Sequence, residues 1–271
     1  MTLYNDPAYL LSTQYNKADN LNARIKLHTL YSTGKQDWYG FVRERLNLVP
    51  GTKLLALGEG NGMQWRMPTG ALPRGFIAIL SDFSWGMING AASVLQEEPA
   101  FGYACIDAQF TPFSARQFDV VTANHMLYHV PNPELAIAEA ARLLKSGGRF
   151  VAATNGVGHM EQLQEILAEF EPAFQRSYRY FDAFTLESGM DRLKPYFGKV
   201  ERIDYDQNLW VTSAEDLADY AFSMPALQES IAMKRRTDLV SYFDELIERD
   251  GGIFIAKSTG VLVGTDPKPA N

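Results

Sequence analysis

The sequence predicts an α/β protein with a seven-stranded, mostly parallel sheet. Two observations carry this reading. Short apolar runs at 54–57, 76–80, 103–106 and 118–123 read as buried strands, with helix-forming stretches after them. The first run breaks into glycines at Gly58, Gly60 and Gly62, and each later run closes in polar residues. Glycines on alternate positions let the chain turn sharply and let a ligand lie against bare main chain. In open α/β sheets, ligands sit in the crevice beyond the carboxyl ends of the strands. A dinucleotide fingerprint wants its third glycine where Met63 stands, so a nucleoside without phosphates fits better than a pyrophosphate. Without a ligand, the same stretch is simply a glycine-rich turn.

The second run closes with Ser81-Asp82-Phe83-Ser84. An acid roughly 20 residues past the glycine turn is placed to take a ribose diol. The third run ends in Asp107-Ala108, and the fourth in Asn124-His125-Met126-Leu127-Tyr128-His129-Val130. A helix then leads to Leu143-Leu144-Lys145-Ser146-Gly147-Gly148-Arg149-Phe150. The pieces LALGEGNG, LSDFSWGM, CIDAQFTPF, FDVVTANHMLYHV and RLLKSGGRF stand in order over about residues 50–155. In this order and spacing they resemble the class I S-adenosylmethionine-dependent methyltransferases. The resemblance implies a three-layer Rossmann-like methyltransferase fold with a helical N-terminal lid. It also implies S-adenosylmethionine as cofactor and a small molecule as substrate.

Composition is compatible with that. A chain of 271 residues can bury a substantial core, and 46% hydrophobic with 21% charged residues is ordinary for a globular protein. The net charge of −7 argues against nucleic acid or an anionic membrane as partner, because both need a basic footprint. Lys234-Arg235-Arg236 is the only basic cluster and reads as a solvated helix face. The single cysteine, Cys105, excludes an internal disulfide and falls in an apolar strand, where a small core residue is expected. The polar and aromatic first 30 residues do not read as a signal peptide, and a cytoplasmic location is expected. No metal is expected.

Residues 1–50 are rich in aromatics, with helices expected from Asn20 to about Leu30 and over 38–46. In the family resembled, such helices form a lid over the cofactor. Arg24 is a candidate for the carboxylate of the methionine part, since a planar guanidinium matches that group, and a surface ion pair is its other reading. Only a short helix fits after the glycine turn, because Pro68, Gly70, Pro73 and Gly75 follow closely; Trp65 is expected as a core or wall residue. Ser84 reads as a helix N-cap, with Phe83 and Met87 as adenine walls or core residues. The resemblance gives Asp107 and the Ala108 amide to the adenine, and Asp82 to the ribose. Asp119 stands at a strand start and is expected to be structural.

By the resemblance, 124–129 flanks the reacting sulfonium. His129 is a candidate base, and Asn124 and His125 are candidate contacts; His28 and His159 are expected elsewhere. Either histidine near the site has a second reading, as a loop brace bonded to a carbonyl. Tyr15, Tyr31 and Tyr128 offer aromatic faces to a sulfonium. Pro133 opens a helix expected to reach Lys145, followed by a strand at 150–154. Beyond 155 the likeness loosens. An insertion at about 157–198 faces the substrate side, and the aromatic, cationic stretch 174–181 is a candidate wall. Helices are expected over 184–194 and 226–249 and after Ser213, with strands at 200–205, extended by 209–211 in one reading, and at 253–256, continued by 261–263 in one reading and closing the sheet. The expected organisation is a lid over 1–50, a cofactor-binding catalytic domain over 51–265 and a loose tail over 266–271.

One departure stands out. The family usually carries an acid two residues before the first glycine, where this chain has Ala56, and the acid Glu59 follows inside the turn. Glu59 joins Gly58, Gly60 and Gly62 as a cofactor-binding candidate, and the grip on the methionine end is expected to differ. Three functions are compatible with these residues. The first is methyl transfer to a small molecule. The second consumes the cofactor itself, as azetidine-2-carboxylate synthases do in cyclising its methionine part and releasing methylthioadenosine. The third is cofactor binding without turnover.

Overall fold

The strand β1 (Lys53–Leu57) buries four successive residues, as a strand covered on both faces must. Around it lie β2 (Ile77–Asp82), β3 (Phe101–Cys105), β4 (Phe118–Asn124) and β5 (Leu144–Asn155), and later in the chain β6 (Phe197–Asp204) and β9 (Thr259–Pro267). The order across the sheet is β3-β2-β1-β4-β5-β9-β6. Every neighbouring pair is parallel except those of β9, which runs antiparallel to both β5 and β6. This computed structural model describes residues 19–68, 70–95, 98–172, 174, 183–224, 227 and 235–269.

Side chains alternate across the pleat, and each set has its own helical cover. Leu55, Leu57, Val121, Ala123, Phe150 and Ala152 pack with the helices Pro133–Leu143 (here α4) and Leu186–Leu193 (α6). Leu54, Ala56, Val120, Val151 and Ala153 pack on the opposite side with Trp38–Leu46 (α2). A third apolar cluster gathers Leu27 of Asp19–Leu30 (α1), Leu167 of Glu161–Phe170 (α5), Leu217 of Ala214–Phe222 (α7) and Phe243 of Arg236–Asp250 (α8). Local signals set several helix starts. Pro133 opens α4 behind the Asn132 cap, Ser84 caps Trp85–Val94 (α3), and Ser213 caps α7. The expected Trp65 turn is a single 3₁₀ turn, Met63–Trp65, with Trp65 buried.

Several expectations need correction. The stretch 253–256 does not close the large sheet: β8 (Ile253–Ile255) pairs with β7 (Leu209–Val211) in a separate two-stranded ribbon. Leu209, Val211, Ile253 and Ile255 are buried while Trp210 and Phe254 stay half exposed, so this ribbon has one face to cover. The large sheet takes β9, which contains the continuation at 261–263 and whose residues 259–264 are all buried, while 209–211 joins the ribbon rather than extending β6. The expected loose tail is therefore partly ordered, since β9 reaches Pro267 and the Lys268 N–H donates to Tyr196 O at 2.9 Å. The helix expected to reach Lys145 stops at Leu143, where β5 begins. Cys105 is exposed rather than a core residue, because β3 is the sheet's edge strand. Asp119 is structural as expected, accepting the Lys53 N–H at 2.9 Å and Lys145 Nζ at 2.7 Å. Tyr15, the stretch 175–181 and the start of the expected helix 226–249 lie outside the described residues, apart from Leu227. Among the described residues no helix is long and apolar enough to cross a membrane.

The two faces of α4 give a direct check on this packing. Ile137 is fully buried and Leu135 is 40% exposed. Ile137→Ala is expected to cost about 2–5 kcal/mol in urea unfolding, against roughly 0.5 kcal/mol or less for Leu135→Ala. Equal effects would mean that α4 docks through another face.

Candidate active site

The carboxyl ends of β1 to β4 open into one cavity of about 660 Å³. That is within the range of roughly 300–1,000 Å³ usual for small-molecule sites. Gly58, Glu59 and Gly60 line it after β1, Asp82, Phe83 and Met87 after β2, and Asp107 and Ala108 after β3. Asn124, His125, Tyr128 and His129 line it after β4, while Arg24 and His28 of α1 and Trp38 and Tyr39 of α2 close it from the N-terminal segment. Thirteen of the site candidates named from the sequence thus line one cavity.

The glycine turn is tight for a steric reason. Gly58 has φ +62°, and a Cβ there would stand 2.6 Å from Met126 Cβ in the loop after β4. Asp82 holds the neighbouring loops together. Its carboxylate accepts the Gly60 N–H at 3.0 Å and the Ser84 N–H at 2.8 Å. Burial raises the Asp82 pKa, and the Ser84, Gly60 and Phe83 amides oppose that rise. Asp107 accepts the Gln109 N–H at 2.9 Å and the Gln109 amide at 3.1 Å, which fixes the loop after β3.

Glu59 is a strongly perturbed acid of the wall. Burial pushes it up to about 8; the Trp65 indole opposes this and the Asp82 charge adds to it. Asn124 ends β4 with a buried Oδ1 that has no hydrogen-bond partner among the described residues. A buried acceptor left unpaired costs free energy, so it calls for a donor from a ligand. The bare Gly58–Gly60 main chain, the Asp82 carboxylate and this orphaned oxygen together fit a nucleoside carrying a cationic tail. No group of three or more His, Cys, Asp or Glu among the described residues is arranged to hold a metal ion.

His28 and His159 were expected away from the site, yet both line the cavity with His125 and His129. The cause is tertiary: α1 and the loop before α5 fold over the strand ends, which no local motif announces. Burial lowers His125 to about 4 and both His129 and His159 to about 3, with neighbouring cationic groups adding to it. At neutral pH these are uncharged imidazoles; His129 can accept a proton but holds it weakly. His125 adopts φ +51°, an uncommon conformation for a side-chain-bearing residue, fixed by its N–H donating to Ala153 O at 2.9 Å.

Two expected residues sit elsewhere. Tyr31 does not line the cavity; its hydroxyl donates to Asp216 Oδ2 at 2.7 Å, which ties α1 to α7. Gly62 also lies outside the wall, and its constraint is packing: a Cβ would stand 2.9 Å from Leu95 Cδ1. Arg24 lines the cavity while donating through Nη2 to Ser223 O at 2.6 Å and through Nε to Ser223 Oγ at 3.0 Å. Gln64, Asn155, Tyr205, Tyr220, Lys257 and Thr259 complete the wall without having been singled out. Most of these come from late in the chain and carry no local signature.

This is the fold of the class I methyltransferases, with the ligand crevice at their usual edge. Residues 55–152 match the family described as a methyltransferase domain. Demethylmenaquinone methyltransferase from Renibacterium salmoninarum is 31% identical over 116 residues, which are 43% of this chain and 46% of that protein. Ubiquinone biosynthesis O-methyltransferase from Coxiella burnetii is 28% identical over 115 residues, 42% of this chain and 47% of that one. The chain thus spans about half the length of the curated relatives it matches. Phosphoethanolamine N-methyltransferase 2 from Haemonchus contortus superposes with a TM-score of 0.60 at 18% identity, covering 99% of this chain and 61% of that one. The [4+2]-cyclase SpnF does so with a TM-score of 0.56 at 17% identity, covering 95% and 96%.

The Glu59 carboxyl generates a pH prediction. Its folded pKa of about 8 lies above the ordinary value of 4.5, so the ionised form is disfavoured in the folded protein. Stability is expected to fall as pH rises from the lower value toward the higher one. Glu59→Gln removes that loss. In thermal melts of the ligand-free protein, its advantage over the wild type should be near zero at about pH 4.5 and largest near about pH 8. A difference that does not change with pH would place the carboxyl in water.

Proposed function

We propose that this protein transfers a methyl group from S-adenosylmethionine to a small molecule. The observation that carries the reading is the convergence of the Gly58–Gly60 turn, Asp82, Asp107 and Asn124 on one cavity under α1 and α2. The domain match and the methyltransferase relatives support it. When bound, S-adenosylmethionine supplies an activated methyl on a sulfonium. We assign α1 and α2 to an N-terminal lid over 1–50, and the sheet with its insertion at 157–198 to the catalytic domain over 51–265.

In this reading Asp82 takes the ribose hydroxyls, since each oxygen keeps acceptor capacity beyond the amide it already binds. Asp107 and the Ala108 amide take the adenine edge, between Phe83 and Met87. Glu59 and the unpaired Asn124 Oδ1 face the ammonium, doing from within the turn what an acid at position 56 does elsewhere in the family. An ammonium beside Glu59 converts it to the carboxylate. Arg24 takes the carboxylate. Trp38, Tyr39 and the lid helices exclude water and hold donor and acceptor in line, an effect that can supply about 7–11 kcal/mol. The Tyr128 face offers a cationic sulfur about 0.5–2 kcal/mol. Where the acceptor arrives protonated, the neutral His129 is the group to take its proton.

The decisive assay incubates the protein with S-adenosylmethionine alone and identifies nucleosides by mass spectrometry. Bound, intact cofactor is expected, with S-adenosylhomocysteine appearing only when an acceptor is supplied. Methylthioadenosine at turnover rates would replace this reading with cofactor cyclisation, and binding without any product across an acceptor panel would favour a non-catalytic role. Asp82→Asn is expected to weaken cofactor binding by calorimetry about 10- to 150-fold, the loss of about 1.5–3 kcal/mol for a charged hydrogen bond. Unchanged affinity would remove Asp82 from the ribose site.

A further inference from the structure

The cavity is divided by charge. Its acids are Glu59, Asp82 and Asp107 at the strand ends and Asp37 at the N-cap of α2, and the proposed function uses the first three for the cofactor. Its cations, Arg24 of α1, Lys35 before α2 and Lys257, lie away from the strand ends, and of the four histidines only His125 and His129 follow a strand of that edge, β4. Lys257 sits in the turn between β8 and β9, its Nζ 4.9 Å from the centre of the Tyr205 ring. It lines the cavity, and among the described residues no carboxylate lies within ion-pair distance of it. No part of the cofactor reading employs it.

We propose that Lys257 binds a carboxylate of the methyl acceptor, in a chamber walled by His28, His125, His159 and Tyr220. The inference rests on the methyl-transfer reading. Its support is geometric first. The His28 ring lies 6.1 Å from that of His159 and 5.6 Å from that of Tyr220, and His28 Nδ1 is buried without a hydrogen-bond partner among the described residues. An anion seated at Lys257 meets one ammonium and the polar edges of neutral imidazoles. Burial lowers Lys257 to about 8, the sign of an ammonium lacking a counter-charge. The same lysine helps hold His28, His125 and His159 below their ordinary values, so these imidazoles add dipoles without adding charge. Lys257 is the one lysine of the wall that is not exposed, Lys35 being on the surface. A single partly buried ammonium balances a monoanionic carboxylate but leaves a doubly charged phosphate with an uncompensated charge. Arg24 is already bonded to Ser223 and is assigned to the cofactor.

The test reads Lys257 directly. Protein carrying ¹³C-labelled lysine side chains is saturated with S-adenosylhomocysteine, and the Lys257 signal is assigned by its loss in Lys257→Met. Formate, acetate and benzoate are titrated beside formamide, acetamide, benzamide and phenyl phosphate; formate is small enough to enter any open cavity. The carboxylates are expected to raise the Lys257 pKa by about one unit, a tenfold preference for the charged form, while the amides leave it in place. Carboxylate affinity should fall about tenfold or more in Lys257→Met and be retained in Lys257→Arg, both compared by melting temperature to verify folding. Amides acting like carboxylates, undiminished binding in Lys257→Met or stronger binding of phenyl phosphate would each overturn the proposal. So would a Lys257 pKa restored by S-adenosylhomocysteine alone, since the lysine would then belong to the cofactor. Failure of the methyl-transfer reading shows separately, as absent S-adenosylhomocysteine binding in calorimetry or as methylthioadenosine production.

Discussion

The site depends on the Asp82 carboxylate. One oxygen receives the Gly60 amide and the other the Ser84 amide, so a single side chain pins the turn after β1 to the start of α3. The Glu59 N–H reaches back to Ser81 O at 2.9 Å and closes the same junction. Two loops that would otherwise move independently become one rigid rim. A carboxylate bonded by amides is favoured in its charged form, which offsets part of the burial that acts on it. The bare main chain of Gly58 and Gly60 is then exposed to the cavity by construction.

The departure at Ala56 has a physical setting. Ala56 is fully buried in the cluster shared with α2, and its carbonyl receives the Ser81 hydroxyl at 2.7 Å. An acid at this point would have to be accommodated between Leu80 of β2 and Thr122 of β4, within a largely apolar cluster. Glu59 stands in the cavity wall instead, within the turn. Its raised pKa belongs to a carboxyl awaiting a positive partner, and Asn124 Oδ1 awaits a donor in the same cavity. The acidic character lost from the strand reappears in the loop.

The first half of the chain was far more legible than the second. The first four strands, the glycine turn, Asp82, Asp107 and the loop after β4 were readable because each is a local pattern in or at the end of a strand. The cap residues Ser84 and Ser213 act within one helical turn, so local chemistry reveals them too. The misreadings share a cause. Whether 253–256 or 259–267 enters the large sheet depends on which run pairs with β5 and β6, and both runs are apolar. The convergence of His28, His159 and Lys257 depends on how α1 and the late turns fold over the strands. Tyr31 was placed by its aromatic character, whereas its hydroxyl is committed to Asp216. Sequence shows a residue's chemistry; only packing shows which side of α1 meets the cavity.

The position of β9 has a consequence for biosynthesis. Strands β5 and β6 do not touch each other in the sheet; each pairs only with β9 on that side, and β9 is the last strand of the described chain. During translation β6 therefore leaves the ribosome with no partner in the sheet, and β5 keeps one open edge until residues 259–267 follow. Unpaired strand edges are sticky. The nascent chain thus has a vulnerable interval that ends only when β9 is inserted, and the turn bearing Lys257 is set in that same final step.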